Sequence, residues 1–259
     1  MPDPAQLKET IESHAAWLAT DGESGEQLSL SGENCVRADL EGADLRQADL
    51  REVNLSGARM QRAKLDGANL ERARLPAANL RGATLEGANL NGSHLQNTVL
   101  VGAILRKVDL APSDLELANM SRADLSGSDL QKANLRRVDL SNAILVDTDL
   151  RRIDLAEANV HNARFDRTNL QATKLTGIDF SQCTFVGANL QKARLQKCTL
   201  AQVDFTDADL RGAKLNEADF YKVTFQNSDL RGSDLRRAVS ISSSVLEPAI
   251  TDEKTILRD

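Results

Sequence analysis

Three histidines, three cysteines and thirty-eight carboxylates are the residues in this 259-residue chain that could bind a metal, attack a substrate or move a proton. Their spacing denies them partners. His14, His94 and His161 stand far apart, and Cys35, Cys183 and Cys198 show none of the spacings of a zinc site or a disulfide framework. No glycine-rich phosphate loop and no Gly-x-Ser-x-Gly elbow occurs. The carboxylates differ from these because they recur: residues 38–50 read ADLEGADLRQADL. An Asp five residues from the next is a product of that recurrence and not a tuned acid–base pair. The sequence therefore reads as a non-enzymatic protein with no catalytic residue, no cofactor and no metal site.

What the recurrence must position is a surface. Every fifth residue from Leu40 to Leu235 is Leu, Met, Val or Phe, forty in succession without a slip. Thirty-one of these centres are Leu, and the others are Met60, Met120, Val160, Phe165, Phe180, Phe185, Phe205, Phe220 and Phe225. Two residues before each centre stands Ala, Ser, Thr, Cys, Val or Ile. Residues two apart in an extended segment point the same way, so centre and small residue face inward and the residue between them faces water. That outward residue is Asp in sixteen repeats and Asn in nine. The remaining two residues turn a corner. Twelve of the fifteen glycines fall on the second corner residue, where the positive φ of some tight turns suits glycine. Many repeats carry Arg, Lys, Asn or Glu there, which predicts that not every corner demands such a backbone.

A period longer than five is also legible. Phe165, Phe185, Phe205 and Phe225 are twenty apart, and the centres every twenty residues from Leu50 and from Leu55 are all Leu. Like residues stack on like in a coil, so the sequence predicts four faces of five residues, ten coils and a rod of roughly 45–50 Å. The pattern A(D/N)LXX over residues 38–237 resembles the pentapeptide-repeat family. The resemblance implies an all-β fold, a right-handed quadrilateral β-helix. Each coil of such a solenoid is stable only against its neighbours.

Three segments are expected: an N-terminal helical cap and lead-in (1–37), the solenoid (38–237) and a C-terminal capping segment (238–259). Residues 4–20 place Leu7, Ile11, Ala15 and Leu18 at helical spacing with Trp17 beside them. The stretch from His14 through Trp17 and Leu18 is similar to a lead-in found before other pentapeptide arrays, which gives His14 and Trp17 a packing role. After Leu235 the centre slot holds Ser240, and AITDEKTILRD is similar to tails that close other members. With no apolar stretch of membrane-spanning length and no signal-peptide pattern, a cytoplasmic protein without membrane insertion is expected. The three cysteines are read as buried free thiols. If two copies pair as a homodimer, the C-terminal end is the expected contact, since its covering segment is the shorter.

Function beyond the rod must lie in outward residues. The favoured reading is a scaffold or protein-binding rod with an unidentified protein partner. The alternative comes from the resemblance, because quinolone-resistance members of the family mimic the size and negative charge of duplex DNA and protect DNA gyrase. Its candidate is the Leu50 face, whose outward column is Asp49, Asn69, Asn89, Asp109, Asp129, Asp149, Asn169, Asn189, Asp209 and Asp229. Against mimicry, residues 38–237 carry 27 acids and 28 bases, so the net charge of −6 comes from the ends. The Leu50 face itself carries eight of each. Short side-chain acceptors that satisfy backbone donors at each corner are the structural reading of the same column. Direct nucleic-acid binding is not expected, because no basic stripe with interleaved aromatics exists. The Leu55 face has a mild basic excess, nine bases to six acids, which suits an anionic partner. Apolar residues in polar slots form the favoured partner surface: Ile104, Ile144, Val146 and Val186 on the Leu45 face, with Val99 and Val101 around its edge.

Overall fold

The computed structural model describes residues 3–255. Its first element, α1 (Pro4–Ala19), starts where Pro4 supplies a preset φ at the first helical position and the Asp3 side chain accepts the Ala5 N–H at 3.2 Å. Leu7 is buried against the first coil and Ile11 packs beside it. The tie that holds α1 down is His14, which is fully buried. Its Nδ1 accepts the Leu28 N–H at 3.0 Å, so Nε2 carries the proton and donates to the Arg46 carbonyl at 2.9 Å. The ring stacks on Trp17 with centroids 5.6 Å apart. One neutral imidazole thus joins the helix to two successive levels of the rod.

From Ser29 with Asp49 to Asp219 with Val239, the outward residues pair in parallel with the residue twenty further on, at all but two positions. A face is one pairing residue wide rather than a long strand, because two of every five residues are spent on the corner. Pairing begins ahead of residue 38: Leu28, Leu30 and Cys35 are buried on the same register, so the lead-in already contains part of a coil. Inside, the centres are buried without exception, and the space along the leucines from Leu65 to Leu110 admits no water. Phe165, Phe185, Phe205 and Phe225 form a stack with successive centroids 4.9, 5.3 and 5.6 Å apart.

The corners differ from expectation. Except at Val108, whose N–H donates to Ser128 Oγ at 3.0 Å, and at Ile153, the N–H of the next small residue reaches back to the centre carbonyl, as Ala43 does to Leu40 at 3.1 Å, and the second corner residue has positive φ. From position 42 to 237 this holds for all twelve glycines and for twenty-seven other residues, whose φ lies between 54° and 64°. Corners without glycine therefore do demand the left-handed backbone. Arg62, Lys107 and Leu117 adopt it at an intrinsic cost of roughly 1–2 kcal/mol each, offset because the same geometry aims their N–H at the next coil: Arg62 to Arg81 at 3.0 Å, Lys107 to Ser126 at 3.0 Å. The exception is Pro112, whose ring fixes φ near about −65° and removes the N–H.

One interruption breaks the ladder. Asp154 does not pair with Lys174, nor Asn159 with Asp179, although the pairs on either side, Asp149 with Asn169 and Arg164 with Thr184, are formed. Between these coils the backbone bonds from Leu155, Glu157 and Val160 to the next coil, and from Lys174 and Asp179 to the previous one, are missing among the described residues. The cause is in the small slot. Ile occupies it twice in the array, at Ile153 and Ile178, one on each side of the gap, and bulk in a slot sized for Ala pushes the coils apart.

After the array, a single turn, α2 (Ser243–Leu246), buries Leu246 over the last coil. Ile250 then pairs in parallel with Asp229, with Leu230 N–H to Ile250 carbonyl and Ile250 N–H to Ser228 carbonyl both at 2.8 Å. Asp252 accepts the Gly232 N–H at 2.9 Å. With Val239, which pairs with Asp219, the segment after the array supplies backbone of a next coil on two faces among the described residues.

His14 yields a pH prediction. Burial is the main influence lowering its pKa, opposed by the Arg46 carbonyl and the nearby Asp44 carboxylate. The folded chain thus binds fewer protons here than the unfolded chain, so this contribution to stability is complete above the ordinary pKa of about 6.5 and is lost as pH falls below it. Urea unfolding between pH 8 and pH 5 is expected to show that loss in the native chain. His14→Gln, which cannot take up a proton, is expected to lack it.

Candidate functional site

Geometry assigns the outward Asp and Asn residues a first task within the fold. The N–H of the first corner residue points away from both neighbouring coils, and the outward residue two positions earlier accepts it. All twenty-five outward Asp and Asn residues do so, at 2.8–3.4 Å. Where Thr84 and Thr184 take the outward slot, carboxylates from the preceding coil substitute: Asp66 accepts the Glu86 N–H at 2.8 Å and Asp166 the Val186 N–H at 3.2 Å.

The Leu50-face column follows this rule at all ten positions, and its charge is largely met in place. Asp49, Asp149, Asp209 and Asp229 are each bound at 2.6 Å by the arginine two residues on, namely Arg51, Arg151, Arg211 and Arg231. Hydrogen bonds from Arg51 and Arg231 hold the carboxyls of Asp49 and Asp229 below the usual carboxylate range. Asn89 donates to Asn69 at 3.2 Å, Asn91 to Asp109 at 3.3 Å and the Gln131 side chain to Asp129 at 3.1 Å. Asn169 and Asn189 carry no charge. Asp109 and Asp129 are what remains of an acidic row, stacked in adjacent coils below Asp149, which Arg151 holds.

The apolar candidates stand on the surface but not as an unbroken strip. Val99, Val101, Ile104, Ile144, Val146 and Val186 are all half-buried. The column through Ile104 reads Thr84, Ile104, Asp124, Ile144 and Arg164, and Asp124 is held by Arg106 at 2.6 Å. A charged pair therefore divides the two isoleucines. The large apolar residues most exposed are others, Leu117, Tyr221, Val239 and Ile250. Leu117 and Tyr221 occupy corner slots, and the signal for them in the sequence is an apolar side chain in a slot that elsewhere is mostly polar or glycine.

The nucleophiles are sealed. Cys35, Cys183 and Cys198 are buried free thiols. Burial pushes Cys183 up to about 12 and Cys198 up to about 11, and each thiol donates to a carbonyl of the preceding coil at 3.0 Å, Cys183 to Val160 and Cys198 to Leu175. Among the described residues, no group of His, Cys, Asp and Glu is arranged to hold a metal ion. No helix among them is long and apolar enough to cross a membrane.

Known proteins share this pattern. A family profile described as "Pentapeptide repeats (8 copies)" matches residues 34–72, 78–116, 109–137 and 133–171, and one described as "Pentapeptide repeat region" matches 161–235. Comparison with curated proteins finds no significant match. Among solved structures, HetL is a pentapeptide repeat protein involved in heterocyst differentiation regulation, from the cyanobacterium Nostoc sp. strain PCC 7120. It is 29% identical over 85% of this chain and 94% of its own, with a TM-score of 0.64. A pentapeptide repeat protein of the Arabidopsis thaliana thylakoid lumen is 28% identical over 46% of this chain and 69% of its own, with a TM-score of 0.24. Full-length QnrB1, a plasmid-mediated fluoroquinolone resistance protein, is 15% identical over 88% and 92%, with a TM-score of 0.21.

Asp129 separates the two roles of the column, since it caps Gln131 but lacks an arginine of its own. Asp129→Ala is expected to destabilise the rod by about 1 kcal/mol through the lost backbone acceptor. Asp129→Asn is expected to match or exceed the native stability, because it keeps the acceptor and relieves repulsion from Asp109 and Asp149. Chemical denaturation of both variants checks this.

Proposed function

Because this chain belongs to the pentapeptide-repeat family, we propose that it is a right-handed quadrilateral β-helix of ten coils that acts as a non-enzymatic scaffold, a rod presenting its faces to a protein partner. Parallel pairing at twenty-residue intervals supports the coil, and the hand follows the general preference of parallel crossovers. The observation that carries the functional reading is the use of the polar groups. The outward carboxylates are occupied by backbone N–H groups and arginines, and the thiols lie inside as neutral donors. The surface so made is nearly neutral over residues 38–237, which suits contact with protein and gives neither a catalytic constellation nor the field of a polyanion.

The partner surface in this proposal includes Val99, Val101, Ile104, Ile144, Val146 and Val186. Two copies would meet at the C-terminal end, where Val239 and Ile250 are exposed. A cytoplasmic setting fits the three free thiols. The second reading, a DNA mimic directed at gyrase, draws on the stacked carboxylates of Asp109, Asp129 and Asp149, and the arginines two residues on from Asp49, Asp149, Asp209 and Asp229 weigh against it.

Supercoiling by purified gyrase, titrated with this protein with and without a fluoroquinolone, decides between them. No inhibition and no protection is the expected result. Drug protection at low micromolar protein would overturn the scaffold reading in favour of mimicry. For the apolar surface, Ile104→Lys with Ile144→Lys is expected to weaken association of the rod with its partner or with itself, read by light scattering or by crosslinking in cell extract.

A further inference from the structure

The basic excess of the Leu55 face gathers in one place. Its outward residues Lys174, Arg194 and Lys214 pair in register through three adjacent coils, and all three are exposed. Successive coils are about 4.8 Å apart, so three cations stand within about 10 Å along the rod. The acids near them are already engaged: Asp154 with Arg136 at 3.1 Å, Glu217 with Lys197 at 3.7 Å and Asp234 with Arg236 at 2.8 Å. No carboxylate among the described residues is within ion-pair distance of Lys174, Arg194 or Lys214. Stacked like charges repel; Asp234 stacks on Lys214 at one end of the column, but no opposite charge is interleaved among the three cations. The fold leaves this repulsion in place, and an external anion would relieve it.

The interruption of the ladder opens on the same face, directly beside Lys174. The parted coils leave a cleft of about 330 Å³ in which Ile153, Ala156 and Ile178 meet Arg136, Lys174, Thr176 and Asp154, the last held by Arg136. The N–H groups of Leu155, Glu157 and Lys174, which the regular ladder would bond to the adjacent coil, are without that acceptor there. An aliphatic patch within a mixed lining, free backbone donors and a cationic column therefore adjoin one another. From these we infer that the Leu55 face between residues 153 and 214 is the docking surface for an extended acidic segment of a partner protein, with an apolar side chain seated in the cleft and carboxylates along Lys174, Arg194 and Lys214. Alternate residues of an extended chain advance about 7 Å, so two carboxylates on one side of the segment span the column. A single-stranded nucleic acid fits less well, because the face offers no aromatic ring for a base to stack on. The inference rests on the protein-binding reading and names the chemistry of its partner.

The test is fluorescence anisotropy with the full chain and a labelled short peptide of alternating glutamates and leucines. Its lysine counterpart and a labelled oligothymidine serve as comparisons. Saturable, salt-sensitive binding of the acidic peptide is expected, weakened at least about tenfold by Lys174→Glu, Arg194→Glu and Lys214→Glu together. Lys107→Glu with Arg122→Glu, exposed bases on other faces, is expected to leave it unchanged. Ile178→Ala, which removes bulk at the gap, is expected to slow amide exchange at Leu155 and Lys174 and to weaken the peptide several-fold. Equal affinity after the triple reversal, or tighter binding of oligothymidine than of the peptide, would overturn the inference. So would failure of the acidic peptide to bind, and that outcome leaves the rod reading to the gyrase and association experiments, which do not use this face.

Discussion

A chain that turns four corners in every twenty residues must dispose of the corner N–H groups that neither neighbouring coil can reach. At twenty-five of the forty corners the outward carboxylate or amide does this from two residues away, a short reach that suits Asp and Asn rather than Glu or Gln. The second corner residue must then turn left-handed, which frees its own N–H for the coil above. With the corner closed in this way, the centre and the small residue fall inward and the leucines stack. Burial, pairing and the twenty-residue coil all follow from the corner.

The same constraint shapes the electrostatics of the surface. A rod bearing twenty-five outward Asp and Asn residues looks acidic when its sequence is read for charge, but those residues have their first partner in the backbone. Their second is often a guanidinium two residues on or from the adjacent coil, as with Arg59 and Asp39 or Arg136 and Asp154. Exposed pairs of this kind add little stability each. Their effect is on the field outside, which they cancel over most of the rod and leave uncancelled where the Leu55 face is basic.

Much of this was legible in the sequence. The forty in-register centres predict the interior, and the four phenylalanines twenty apart predict the coil that the ring stack displays. The Asp and Asn column was readable as a set of backbone acceptors, since short polar side chains beside a turn have few other uses. The corners were misread because Arg, Lys and Gln side chains carry no mark of φ; the tertiary ladder imposes it. The start of the coil was placed late because Leu28, Leu30 and Cys35 keep the register without the Ala-Asp-Leu wording. Val99 through Val186 looked like a strip because sequence spacing does not reveal that the Arg106–Asp124 pair lies between Ile104 and Ile144. The two isoleucines in the small slot, Ile153 and Ile178, were within the permitted set, and their position on opposite sides of one gap becomes evident when the coils are stacked.

Parallel pairing gives the rod a polarity that an antiparallel sheet lacks. Its two ends are different surfaces, one offering what the other accepts, so in-register stacking of identical rods would be head to tail and without limit, the geometry of a filament. The helix anchored by His14 covers one end, and the strand formed by Ile250 uses up part of the other. Open-ended growth is thereby closed off, and a pairing of copies through the C-terminal end stops at two.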